Sequence, residues 1–228
     1  MGVLLPAGKS LKSLGTLRLG MKVITPVREI GKRILASAVG HINSRLGKLS
    51  PKISERARAL IKSSLNTSPA TASLISGRLR EEMGIVDASS ELYNIFDAIS
   101  KTVNVTSSPA RIKGANMSMK IRLTAVPFDL DNIIGGAGSY TTEKGATIPW
   151  FQWLTAAGDR IIVRDYDVEG GYPQFSRTGD MIMRKGRKGW RVPPEFAGSH
   201  SDNFVTKATD SILPELGNYI QKTIENML

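Results

Sequence analysis

The densest chemical signal in the chain is a set of cations spaced by glycines, Lys185, Arg187 and Lys188 in MRKGRKGWRV. Guanidinium and ammonium groups between flexible glycines suit either a solvated turn or a finger that reaches an anionic surface, and residue type alone leaves both open. Carboxylates gather just upstream, with Asp165, Asp167 and Glu169 in RDYDVEGG and a separate pair at Asp129 and Asp131. In an extended chain residues two apart share a face, so the row beside Val163 and Val168 reads as a solvated strand edge rather than a calcium loop. His200 stands among Ser199, Ser201 and Asp202. The members of a catalytic triad meet by folding and not as sequence neighbours, so a helix entry rich in capping residues is the simpler account. At the start, GVLLPAGKS nearly spells a phosphate-binding loop, but five residues separate Gly2 from Gly8 where the motif has four, and no strand precedes it. Pro6 likewise occupies the place where a myristoylation signal needs Ser or Thr.

Composition removes most other chemistry. The chain has no cysteine and two histidines, His41 and His200, which excludes disulfides, thiol nucleophiles and cysteine-based metal sites. At 228 residues, 41% hydrophobic and 22% charged, it has the make-up of a soluble globular protein. No apolar run approaches the roughly 18 residues of a membrane span, and the apolar part of MGVLLPAGKSLKSLG is too short for a secretory signal, so no membrane partner is expected. Neither a catalytic constellation nor a cofactor or metal motif is expected.

Charge is unevenly placed along the chain. Residues 1–62 hold 13 Lys or Arg, among them Lys9, Lys12, Arg18 and Lys22, against only Glu29 and Glu55, while the other 166 residues hold 18 of each sign. Clustered cations suit contact with a polyanion such as nucleic acid, or with an acidic partner. The first 28 residues, rich in Gly, Lys, Leu and Ser, show no sustained period and read as a basic arm that takes structure against a partner.

The elements that must position these residues follow from periodicity. Ile30, Ile34, Leu35, Ala38, Ile42 and Leu46 predict a helix weakened by Gly31 and Gly40, and Ser50 with Pro51 predicts the start of a second, carrying Ile53, Ala57, Leu60 and Ile61 on one face. After the connector NTSPATA, helices are expected in SLISGRLREEMG and in DASSELYNIFDAISKTV. Met117, Met119, Ile121 and Leu123 alternate with polar residues and predict a half-buried strand. PFDLDNIIGGAGSYTTEKGATI reads as a loop or weak hairpin. Pro149 opens a short helix with Trp150, Phe151 and Trp153, whose aromatic rings are candidates for the core or a subunit interface. RIIVRDYDVE and DMIMR read as strands, the latter joined by KGRKG to WRV as a hairpin. In the last segment Asp202 is the expected cap, and Pro214 is expected to kink the helix or to begin another. Helices, then antiparallel strands, then a closing helix make an α+β plan, taken here as a single domain over residues 29–228 behind the arm.

Longer words then become informative. SLISGRLREEMGIVDASSEL, IPWFQWLTAAGDRIIVRDYDVE and SRTGDMIMRKGRKGWRVPPEFAGSHSDNFVTKA resemble the neck or tail-completion proteins of long-tailed bacteriophages. The pattern is a basic helix, a small-residue stretch ending in an SG-x-LR word (Ser76, Gly77, Leu79, Arg80), a few strands, and a P-x-F word (Pro194, Phe196) leading into the last helix. The resemblance implies a non-enzymatic virion protein, made in the host cytoplasm, that forms a ring of six around the DNA channel and meets connector and tail proteins. It further implies that arms and loops supply the ring contacts, and that many weak copies of one basic element act on one partner. Another tail subunit (terminator, tube or baseplate), or a nucleic-acid-binding protein without sequence specificity, is the competing expectation.

Overall fold

In the computed structural model residues 17–22, 28–114, 116–124, 137–142 and 145–226 are described. In chain order the elements are β1 (Leu17–Lys22), α1 (Arg28–Asn66), α2 (Pro69–Ser76), α3 (Arg78–Met83), α4 (Ala88–Lys101), β2 (Asn104–Ser107), β3 (Arg111–Lys113) and β4 (Asn116–Thr124). There follow β5 (Tyr140–Thr141), β6 (Thr147–Ile148), α5 (Trp150–Ala156), β7 (Tyr166–Glu169), β8 (Ile182–Lys185), α6 (Phe204–Ser211) and α7 (Leu213–Glu225). The class is α+β, with small antiparallel sheets. The chain divides into two compact units, one of residues 1–60, 101–125 and 212–228, the other of residues 61–100 and 126–211.

The first unit is built on β4. Its residues alternate strictly between exposed and buried, with Met117, Met119, Ile121 and Leu123 on the dry side. β1 pairs along one edge of β4, and β2 and β3 share the other edge, all antiparallel. Facing this core, α1 buries Leu35, Ile42, Leu49, Ile53, Ala57 and Leu60, a seam at intervals of seven, four and three residues, and α7 buries Leu216, Gly217, Ile220 and Ile224. Polar bonds fix α1 against the strands. The Asn43 side chain bonds both backbone groups of Ala110, donating to its carbonyl at 3.1 Å and accepting from its N–H at 2.7 Å. Arg58 donates to the Val103 carbonyl at 3.1 Å, and Arg56 pairs with Glu215.

Two expectations fail in this unit. Residues 17–22, assigned to an arm that orders on a partner, form β1 with six register pairs to β4. LRLGMK has a period of two after all, and it completes an otherwise unpaired edge. Pro51 does not begin a helix but lies inside α1, which runs unbroken from Arg28 to Asn66. The carbonyl left without a donor belongs to Gly47, which is exposed as Pro51 is, so solvent can serve it. Ser50, the expected cap, shares a hydrogen bond with the Ser107 hydroxyl at 2.9 Å instead.

The second unit packs α2 to α6 around Trp150 and Phe151, each 0% exposed. Burying rings of that size is worth roughly 3 kcal/mol for Phe151 and more for the larger Trp150, above a typical single hydrogen bond. Phe151 meets Trp150 and Phe204 edge-on, both with ring centroids 5.8 Å apart, and the half-buried Trp153 lies 5.6 Å from Trp190. The polar ends of the rings are served: Trp150 Nε1 donates to Glu91 at 3.2 Å, and Trp190 Nε1 to the buried Glu82 at 2.8 Å. Burial pushes the Tyr140 phenol up, and its hydroxyl donates to the Met83 carbonyl at 2.6 Å.

Here too the sequence reading needs correction. Pro69 opens α2 within the supposed connector, capped by Ser68, and SGRLREEM is broken at Gly77, where a Cβ would come 2.8 Å from Ser73 Cα. Of RIIVRDYDVE only residues 166–169 form a strand. Asp202 is not the cap of α6; Asn203 is. Its buried side chain accepts from the Val205 and Thr206 N–H groups at 3.0 Å and donates to the carbonyls of Thr155 and Ser199. Of the two outcomes expected at Pro214, a kink or a new helix, the second is found: it stands in the first turn of the separate helix α7. Asn203→Ala is expected to cost about 2–4 kcal/mol in urea unfolding, because the cap is lost and the buried Thr155 carbonyl and the part-buried Ser199 carbonyl lose their donor together. Asp202→Ala, which removes an exposed ion pair to Lys207, is expected to change stability by no more than about 0.5 kcal/mol.

Candidate polyanion-binding site

The wet side of the first unit's sheet collects cations row by row. In antiparallel pairing, directly opposed residues belong to the same face. Asn116 is opposite Lys22 on one edge and Lys113 on the other; Ser118 is opposite Gly20 and Arg111; Lys120 is opposite Arg18; Arg122 is opposite Thr106. Each row therefore brings at least one cation. Lys113, Arg111, Lys120 and Arg122 are exposed, and Arg18 and Lys22 hold register positions beside them. Residues 101–124 contain no Asp or Glu. Among the described residues, none of the four exposed cations forms an ion pair.

Of the cations singled out by sequence, Arg18 and Lys22 are thus brought into this array, while Lys9 and Lys12 lie outside the described residues, as do Asp129 and Asp131. Arg111, Lys113, Lys120 and Arg122 were missed as site residues. The alternation of β4 was legible and already placed Lys120 and Arg122 opposite its apolar face; the signal left unused was the matching alternation in LRLGMK.

Lys185, Arg187 and Lys188 are exposed in the second unit, but the hairpin expected for them is not formed. β8 pairs with β7, from Tyr166 opposite Lys185 to Glu169 opposite Ile182, and Trp190 bridges Val163. The cations therefore sit in a loop between two points of pairing with one upstream segment. Asp167 closes that loop, accepting from the N–H groups of Arg187 at 3.4 Å and Lys188 at 3.2 Å. A Cβ at Gly186 would overlap the Asp167 carboxyl, and Gly189, at φ +83°, would set a Cβ 2.8 Å from Ile161. Glycine here permits close packing rather than a free tip.

An ion pair at 3.2 Å joins Arg78, within the SGRLR word, to Glu195 of PPEF. The Arg78 guanidinium is held above its ordinary value, first by its hydrogen bond to Glu82. A groove of about 350 Å³ is lined by Ser64, Ser68, Phe196, Phe204, Lys207 and Ser211 among others; Ser64 and Ser211 bond one another and Lys207 pairs with Asp202. Among the described residues, no group of three or more His, Asp or Glu is placed to hold a metal ion, and no helix is long and apolar enough to cross a membrane.

The chain matches no protein-family model, no curated protein and no solved structure.

Replacing Lys185, Arg187 and Lys188 together by Gln is expected to leave the melting temperature within about 2 °C, since surface changes cost little and the loop is held through its backbone. Asp167→Ala is expected to speed hydrogen exchange at the Arg187 and Lys188 amides by about tenfold or more, read by NMR, with the β7–β8 ladder retained.

Proposed function

We propose that the protein is a structural subunit of a tailed-phage virion, a neck or tail-completion protein that forms a ring, of six copies on the resemblance, and joins head to tail around the DNA channel. It works by assembly rather than by catalysis. The class comes from the words that resemble the neck family, two of which, SGRLR and PPEF, are joined by the Arg78–Glu195 pair.

The observation that carries the role is the partition of charge between the units. The first unit has 18 Lys or Arg against 4 Asp or Glu, and the second has 13 against 16. All of the chain's excess positive charge thus resides in one unit, while the other is slightly acidic. A subunit that must lie against a polyanion, yet also pack against copies of itself, is served by such a division, since repulsion between like basic surfaces is confined to one part of the molecule. The same observation supports a second reading, a nucleic-acid-binding protein of no sequence specificity, which lacks the ring.

Mass photometry of the full chain separates the two. A discrete closed oligomer that persists at 0.5 M salt, roughly three times physiological ionic strength, is expected. A monomer at all accessible concentrations, binding DNA with a steep dependence on salt, would overturn the ring and favour the second reading.

A further inference from the structure

We infer that the outward face of the four-stranded sheet is a binding surface for the sugar–phosphate backbone of double-stranded DNA, with Arg111, Lys113, Lys120 and Arg122 as contacts and Arg18 and Lys22 completing it from β1. The inference rests on the proposed role only for its choice of DNA among polyanions; the surface itself follows from register and burial.

Three properties of the face select this ligand. First, it is cationic: every row across β4 from residue 116 to residue 122 contains Lys or Arg, and among the described residues these rows hold no acid. Arg18 holds the register position directly opposite Lys120, and like charges directly opposed across a ladder destabilise it. A bound anion offsets that repulsion by its attraction to both cations. Second, the residues between the cations are Asn104, Thr106, Asn116, Ser118 and Thr124, all exposed, and short hydroxyl and amide groups of this kind donate to phosphate oxygens. Third, the outward positions of β1 to β4 include no Phe, Tyr or Trp. Proteins that hold single strands stack bases on aromatic side chains, so a face without them fits a duplex whose bases stay paired. At about 3.4 Å per residue the nine residues of β4 extend about 30 Å, close to one turn of duplex.

β1 is part of the device. It supplies two of the six cations and is held to the sheet along β4 alone, so ligand binding and the pairing of β1 favour one another.

The test uses the full chain and a labelled 24-base-pair duplex of arbitrary sequence, with affinity followed by fluorescence anisotropy across salt concentration. Two contact variants, Lys120→Gln with Arg122→Gln and Arg111→Gln with Lys113→Gln, are compared with Arg160→Gln with Arg164→Gln, which removes the same charge from the second unit. Each contact variant is expected to weaken binding by roughly 50-fold at 0.1 M salt and to make the log–log salt slope shallower by about 2, while the control leaves the slope unchanged. Circular dichroism confirms that all the variants fold. Equal slopes in contact variants and wild type overturn the inference, as does tighter binding of a single strand than of the duplex. Binding to vesicles of anionic lipid with none to DNA likewise overturns it. Mass photometry of the same samples keeps the two proposals apart: a ring whose duplex binding is unchanged by the face variants sinks the DNA surface alone, and a monomer that binds duplex through the face sinks the ring alone.

Discussion

Strand β4 sets the terms for the first unit. Its side chains alternate with a period of two, so a slip of one residue in its pairing would bury Lys120 and Arg122 and bring Met117, Met119, Ile121 and Leu123 into water. Burying a charge without a partner costs several kcal/mol and exposing four apolar side chains costs a comparable amount each, so the register has no close competitor. Once β4 is fixed, its dry face needs the seam of α1 and the apolar stripe of α7, and its two edges need β1 on one side and β2 with β3 on the other. Its wet face is then determined as well. The cations are spaced by backbone geometry, about 7 Å along a strand and about 5 Å between strands, and not by the conformational freedom of an arm.

The second unit is organised differently, around buried polar groups that tie distant segments together. Asn203 satisfies the start of α6 and, in the same side chain, holds the carbonyl of Thr155 at the end of α5. Glu82 accepts from Trp190 and from Arg78, joining α3 to the segment after β8. A buried carboxylate is costly unless it is paired and hydrogen-bonded, and here both conditions are met. Gly198 shows how tightly the same region is packed, since a Cβ there would overlap the Leu154 carbonyl and Asn203. These contacts explain why so little regular strand is needed between residues 157 and 203: side-chain bonds and turns do the positioning that a larger sheet would do elsewhere.

How far the sequence revealed this can be argued element by element. The helix at Tyr93, the strand at Met119 and the aromatic helix at Trp150 were all legible, because each carries its own apolar periodicity within one turn or one strand. What escaped was non-local. LRLGMK has only six residues, one of them Gly, and its identity as a strand depends on the free edge of β4 about a hundred residues away. Asp202 and Asn203 are both good caps by type, and what decides for Asn203 is its two donors, which only a folded chain supplies with acceptors. Pro51 misled because the local rule that proline starts a helix is a preference, overridden here by a continuous apolar seam from Leu35 to Leu60 that runs past it. The pairing of β8 with β7 rather than with WRV is accompanied by the bond from the Arg187 N–H to Asp167, a contact between residues 20 apart in sequence that no local period encodes.

The two basic features of the molecule, similar in sequence, differ in electrostatic character, and the difference follows from what lies around them. Lys185, Arg187 and Lys188 share their surroundings with Asp165, Asp167 and Glu169, on the segment to which β8 is paired. Asp167 is committed to the loop's own backbone and Arg184 to Glu169. Seen from beyond the Debye length of about 8 Å at physiological salt, these opposed charges largely cancel. Among the described residues the rows of the sheet face carry no acid, so the potentials of neighbouring cations add there. A row of like charges of this kind attracts a polyanion over a longer range than does a loop whose cations are interleaved with carboxylates. Glycine content and cation count would rank the loop first; the placement of carboxylates ranks the sheet first.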